Sequence, residues 1–156
     1  MIKKLMIGVI SDTHGLLRPE IITIFKGSNL IIHAGDIGNS QVLDGLKAIS
    51  KVIAVRGNND TGEWASRLPE TNSVTIQGTS IFIIHDLKEL KLEPKKRGIN
   101  IVICGHSHSP KVENRQDVLY VNPGSAGPRR FKLPVAVARL ILKPLNPEVE
   151  IVKISV

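Results

Sequence analysis

Five short apolar runs constrain this chain more than any other feature. They are LMIGVI (5–10), LIIHAG (30–35), VIAVRG (52–57), IFII (81–84) and IVICG (101–105). Short, continuous and rich in Ile and Val, they read as strands buried on both faces. Between the first three lie segments with helical spacing. RPEIITIFKG (18–27) has Pro near its start and Gly at its end. SQVLDGLKAIS (40–50) has Ser40 as an N-cap candidate and apolar residues at Val42, Leu43, Leu46 and Ile49. Strand, helix, strand, helix, strand in that order predicts right-handed βαβ units and a parallel sheet, hence an α/β fold.

The second half changes character. NSVTIQGTSIFIIH (72–85) reads as a hairpin turning at Gln77-Gly78. KELKLEPKKRG (88–98) is a basic segment with helical character, interrupted by Pro94. From Lys111 onward, KVENRQDVLYVNPGS, LPVAVARLILK and EVEIVKISV read as short strands joined by turns, which predicts a mostly antiparallel second sheet. Neither a linker nor an internal repeat divides the chain. Its 156 residues, 42% of them hydrophobic, are read as one domain spanning 1–156 with a substantial core.

Charge and composition narrow the partners. A net charge of +7 favours anionic ligands such as phosphate esters or nucleic acid, and serves solubility equally well. Aromatic residues are only 3% of the chain, which disfavours a single-strand nucleic-acid platform built on stacked rings. The one cysteine, Cys104, lies in an apolar run and reads as a buried small hydrophobe; no internal disulfide can form. The apolar stretch near the N-terminus is broken at Asp12 and is too short for a signal peptide or a membrane span, so a cytoplasmic protein is expected.

The residues just beyond each apolar run point to chemistry. Asp12 and His14 come after the first, Asp36 after the second, Asn58 after the third, His85 after the fourth, and His106 and His108 after the fifth. Each has a metal-capable side chain at the carboxyl end of an expected strand, the edge where open α/β sheets bind ligands. Any one alone would be an ordinary polar turn residue; the set of seven is not. Four imidazoles, two carboxylates and one amide oxygen, without a thiolate, suit divalent Mn, Fe, Zn, Co or Ni. Seven donors exceed one tetrahedral site and fit two ions sharing a carboxylate, able to clamp an oxyanion and activate a bridging water. Gly35, Gly57 and Gly105 each precede a ligand, where a left-handed backbone or close approach is expected. His33, alone inside an apolar strand, reads as a hydrogen-bonded core residue.

DTH (12–14), GD (35–36), GNND (57–60), His85 and GHSH (105–108) together resemble the five-block signature of the calcineurin-like metallophosphoesterase superfamily, and VNPGSAGPRR (121–130) resembles a segment of its small single-domain phosphodiesterase branch. The resemblance implies a β-sandwich of two mixed sheets flanked by helices, a four-layer α/β/β/α fold. It places Asp12, His14 and His108 on one metal and Asn58, His85 and His106 on the other, with Asp36 bridging. It implies a phosphoesterase, most of all a phosphodiesterase, whose nucleophile is a metal-bridging hydroxide, with two divalent ions of which Mn best supports activity.

Two positions depart from the family pattern. Asn59 stands where the family keeps a His resembling a general acid, and is read as the residue that meets the leaving group or donates an amide hydrogen bond to phosphate. Asp86 comes after His85 where relatives carry Gly-His; it is read as a helix N-cap for LKELKL (87–92), the alternative being a charge that adds to the metal shell or repels a phosphate. Arg129 is read as a substrate-phosphate contact, and Asp60 as a loop brace. The expected partner is a small phosphate ester, with nucleic acid disfavoured, no membrane, and homo-oligomerisation open. The alternative is a catalytically weak scaffold of the same fold that keeps the metal pocket and binds proteins.

Overall fold

The computed structural model describes residues 4–143 and 146–156. The chain runs β1 (Leu5–Ile10), α1 (Pro19–Phe25), β2 (Leu30–His33), α2 (Ser40–Lys47), β3 (Val52–Ala54), a single-turn α3 (Glu63–Ser66), β4 (Thr71–Ile76), β5 (Thr79–Ile84), β6 (Ile101–Ile103), β7 (Lys111–Arg115), β8 (Val118–Asn122), β9 (Val135–Leu142) and β10 (Glu148–Ile154). No helix among the described residues is long and apolar enough to cross a membrane.

The strands form two five-stranded sheets, ordered β10-β9-β1-β2-β3 and β4-β5-β6-β8-β7. The expected βαβ units are present: β1, β2 and β3 are parallel, and each crossover helix packs its apolar stripe on one face. The second sheet corrects the strand-pattern reading and agrees with the mixed sheet that the resemblance implies. It is mixed rather than mostly antiparallel, with β5, β6 and β8 parallel and the flanking strands β4 and β7 antiparallel. β9 and β10 do not extend it; they join the first sheet, β9 antiparallel to β1 and β10 antiparallel to β9 at the edge. Hairpin signals such as Gln77-Gly78, which turns with φ of 49° and 81°, reveal local pairing. They say nothing about a strand that crosses between sheets.

Three apolar layers result from strand alternation. Between the sheets, Ile7, Val9 and Ile32 meet Ile81, Ile83, Ile101 and Ile103. On the outer face of the first sheet, Ile10, Ile31 and Val137 pack under Ile21 and Phe25 of α1 and Val42, Leu43 and Leu46 of α2. Gly8 makes that approach possible: a Cβ there would stand 2.9 Å from the Phe25 ring. The outer face of the second sheet carries Ile84, Val102 and Val118. It is covered not by helices but by two 3₁₀ turns, Leu87–Glu89 and Lys95–Arg97. The Lys-rich segment therefore never becomes a helix: Pro94 cannot continue one, and Leu87, Leu90, Leu92 and Ile99 reach the sheet from irregular backbone.

Of the two expected caps, one moves and one holds. Asn39, not Ser40, caps α2, its Oδ1 accepting the Val42 N–H at 3.1 Å. Asp86 does cap, its Oδ1 accepting the Lys88 N–H at 3.1 Å, but what it caps is a 3₁₀ turn and not the helix expected.

Candidate metal centre

The carboxyl ends of β1, β2 and β3 in one sheet and of β5 and β6 in the other face the same cleft. Their ligand-bearing residues are held in short left-handed turns: Asp12, His14, Asp36, His106 and His108 have φ of 55°, 46°, 55°, 73° and 63°. Non-glycine residues adopt this region only at a cost, and such strain gathers at functional sites. The glycines divide the two expected roles between them. Only Gly35 itself has a left-handed backbone, at φ 103°. Gly57 and Gly105 supply space instead: a Cβ at Gly57 would collide with Asp36 Oδ1, and one at Gly105 would stand 2.8 Å from Asp12 Oδ2.

Two triads result, Asp12 with His14 and His108, and Asp12 with Asp36 and His85, each with donor atoms within 4.8 Å of one another. Asp12 Oδ2 accepts the Ser11 hydroxyl at 2.7 Å and the His106 N–H at 3.1 Å. Its Oδ1 lies 3.3 Å from His108 Nε2 and 3.9 Å from the Nε2 atoms of His14 and His85. Asp36 Oδ2 lies 3.3 Å from His85 Nε2 and 3.9 Å from His14 Nε2, so it faces one histidine of each triad. His85 Nδ1 donates to the Ala34 carbonyl at 2.7 Å; the neutral ring then presents Nε2 as a lone pair.

Asp12 Oδ1, His14 Nε2 and His85 Nε2 are buried without a hydrogen-bond partner. Buried polar atoms are ordinarily paired, and these three converge. Two imidazole nitrogens and a carboxylate oxygen suit a borderline divalent cation, so the residues fit the ions that the sequence implies.

Charge obeys the same geometry. Burial works to raise the Asp36 carboxyl, but the His85 ring and the two Asn59 donors outweigh it and hold the group well below the usual carboxylate range. Burial lowers His85, and Asp36 and Asp12 overcome that to raise it. His108 is lowered by burial against the pull of Asp12, with Arg130 adding to the fall.

The remaining expected residues lie around this core. His106 is on the rim, its side chain 43% exposed and its Nε2 3.7 Å from Asp86 Oδ2. Asn58 is exposed and lines the adjoining cleft with Arg56, His85 and Asp86. Asn59 turns inward onto Asp36: its backbone N–H donates to Oδ1 at 3.0 Å and its side-chain amide to Oδ2 at 2.9 Å. Arg129 is exposed on the loop after Gly127.

A bracing shell surrounds the ligands. Asp60 accepts the Gly57 N–H at 2.9 Å and the Gly38 N–H at 3.0 Å, the loop brace expected of it. Ser125 donates to the Asp12 carbonyl at 3.0 Å, and the Asn122 amide donates to the Gly105 carbonyl at 3.0 Å, so the NPGS segment ties two ligand loops together. Thr13 and Asn122 were not legible as site residues, because the groups they bond, on His33, Ile37 and Gly105, lie 17 or more positions away in sequence; Ser11, bonded to its neighbour Asp12, carries no signal of its own in the sequence.

His33 is the core residue expected. Its Nδ1 accepts the Gly35 N–H at 3.1 Å, which leaves Nε2–H to face Thr13 Oγ1 at 3.0 Å, while the Thr13 hydroxyl donates to the Ile37 carbonyl at 2.8 Å. Burial, with His85 adding, lowers its pKa from 6.5 to about 3. The unfolded chain therefore takes up a proton below pH 6.5 that the folded protein refuses. His33 is at no disadvantage above pH 6.5, and its share of stability is lost as pH falls toward 3, about 1.4 kcal/mol per pH unit. Between pH 6.5 and 4, wild type should lose about 3 kcal/mol more than His33→Gln, read from urea unfolding midpoints. Equal losses would show that His33 titrates normally in the fold.

The calcineurin-like phosphoesterase superfamily domain matches residues 5–143. The chain belongs to this family. A probable metallophosphoesterase of Methanocaldococcus jannaschii is 37% identical over 134 residues, covering 78% of this chain and 68% of the relative. A phosphodiesterase of the same organism is 36% identical over 137 residues, covering 76% and 82%. Among solved structures, an archaeal phosphodiesterase superposes with a TM-score of 0.81 at 27% identity over 96% of this chain and all of its own. Vacuolar protein sorting 29 from Cryptosporidium parvum superposes with a TM-score of 0.76 at 17% identity over 97% and 98%, a likeness of fold alone. The family's two mixed sheets are those described above, with the outermost helical layer of the second sheet reduced to 3₁₀ turns.

Proposed function

We propose that the chain, acting as a single domain, hydrolyses phosphodiesters at two divalent ions held by Asp12, His14 and His108 and by Asn58, His85 and His106, with Asp36 between them. The convergence of the partnerless Asp12 Oδ1, His14 Nε2 and His85 Nε2 carries this reading. When bound, such a pair of ions supplies a nucleophilic hydroxide near neutral pH and positive charge for the phosphate oxygens.

The chain's own residues set the limits of the reaction. Asn59 steadies the Asp36 carboxylate through its amide, fixing which oxygen faces the histidines. Arg129, exposed on the loop after Gly127, is proposed to take a phosphate oxygen through its guanidinium. Hydrolysis forms one P–O bond to water oxygen and breaks the P–O bond to the leaving group, whose oxygen must then take a proton. Asn59 is neutral and its amide is engaged with Asp36, so no proton donor stands at this position. Without a general acid, cleavage loses about 10²–10⁴ in rate for leaving groups that need the proton.

Mn-loaded protein should therefore cleave aryl phosphodiesters far faster than matched alkyl ones. Asn59→His should raise the alkyl rate more than the aryl rate. Equal wild-type rates on the two esters, with chemistry rate-limiting, would place a donor elsewhere. No turnover with any of Mn, Fe, Zn, Co or Ni would favour the scaffold reading, which the absence of a family His at position 59 supports.

A further inference from the structure

Phe131 is 94% exposed, and its backbone is held at φ 51°. A ring turned to water in a strained turn adds nothing to the core. Its neighbours Arg129, Arg130 and Lys132 are exposed as well. The root of this loop is fixed against the metal centre. A Cβ on Gly127 would stand 2.5 Å from the carbonyl oxygens of both Asp12 and Thr13. Arg18 Nη2 donates to the Gly127 carbonyl at 3.0 Å, and the Leu133 N–H donates to the Arg130 carbonyl at 3.0 Å, closing the turn. Ring and cations thus lie within a few residues of backbone packed on Asp12.

We infer that Phe131 is a stacking platform for the base of a nucleotide-type phosphodiester, with Arg129, Arg130 and Lys132 taking its phosphate oxygens. The inference rests on the phosphodiesterase reading above and extends it to a substrate class. An exposed ring stacks on any nucleobase, because every base has a π-face, and guanidinium forks match phosphate geometry. The other aromatic residues are committed elsewhere: Phe25 is buried and Trp64, Phe82 and Tyr120 pack against the outer-face clusters. One exposed ring serves one base, so the ligand is a mononucleotide unit rather than a strand.

Two esters with the same leaving group test this: thymidine 5′-(p-nitrophenyl phosphate) and methyl p-nitrophenyl phosphate, both with the Mn-loaded protein. Phe131→Ala should raise KM for the thymidine ester roughly 5- to 150-fold with kcat unchanged, and leave the methyl ester unaffected. Phe131→Trp should restore the wild-type KM. If Phe131→Ala treats both esters alike, the platform is overturned while the hydrolase reading stands. If wild type cleaves neither ester, the hydrolase reading falls and calorimetric binding decides the platform. Tighter binding of AMP than of ribose 5-phosphate, with the difference gone in Phe131→Ala, supports it; equal binding overturns it. A Phe131→Ala protein that sediments as a monomer where wild type is a dimer, with nucleotide binding unchanged, would also overturn it, because the ring would then be a contact between copies of the chain.

Discussion

Asp36→Asn should lower phosphodiester turnover by about 10³-fold or more, equivalent to about 4 kcal/mol of barrier, while the fold survives. The carboxylate faces one histidine of each triad, at 3.3 Å from His85 and 3.9 Å from His14. The amide keeps the shape and loses the charge. It also leaves the triad of Asp12, His14 and His108 untouched. Elemental analysis of Mn-reconstituted protein should give about two ions per chain for wild type and no more than about one for Asp36→Asn. Asp12 belongs to both triads, so Asp12→Asn should reduce the count further. An Asp36→Asn protein that holds as many ions and turns over as fast as wild type would overturn the bridging assignment.

Adding metal to stripped protein should raise Tm by about 10–20 °C. The metal-free centre leaves buried ligand atoms without partners and holds five ligand-bearing residues in left-handed backbone. Ions that bind only the folded state add stability by mass action, about 2.7 kcal/mol each at a hundred times Kd. For a domain of this size each kcal/mol is worth about 2–4 °C. Scanning calorimetry with and without saturating Mn measures the shift. The same scan on Asp36→Asn should show half the gain or less. A wild-type protein whose Tm ignores Mn, Zn, Fe, Co and Ni would show that the cleft is not a metal site.

Five strands and the cluster of candidate ligands were readable from the sequence for one reason: each of β1, β2, β3, β5 and β6 is rich in Ile and Val, and the residues beyond its carboxyl end are chemically conspicuous. Asp12, His14, Asp36, His85 and His108 come together because the sheet edge brings them there. The hidden features depend on contacts distant in sequence. The transfer of β9 and β10 to the first sheet is settled by pairing with β1, about 130 residues earlier in the chain, and no local pattern encodes that. Asn59 shows the same limit at a single residue. Its place beside Asn58 suggests a substrate contact, while its amide lies on a carboxylate 23 positions upstream. The glycines before the ligands were legible as special, but whether they bend the chain or make room for Asp36 and Asp12 required atoms.

The candidate ligands are divided between the two sheets: Asp12, His14, Asp36 and Asn58 come after strands of the first, and His85, His106 and His108 after strands of the second. A partly folded chain with only the first sheet formed would own no more than one histidine of the centre. On the proposed two-ion reading, ions could not template folding, because the cage exists only after sheets separated by long chain segments have docked, a high-contact-order event that is slow. Their binding energy would act on the finished sandwich, and so would slow unfolding rather than hasten folding. The proposed metal centre would in this sense be a clasp, closed last, setting how long the protein stays folded more than how quickly it gets there.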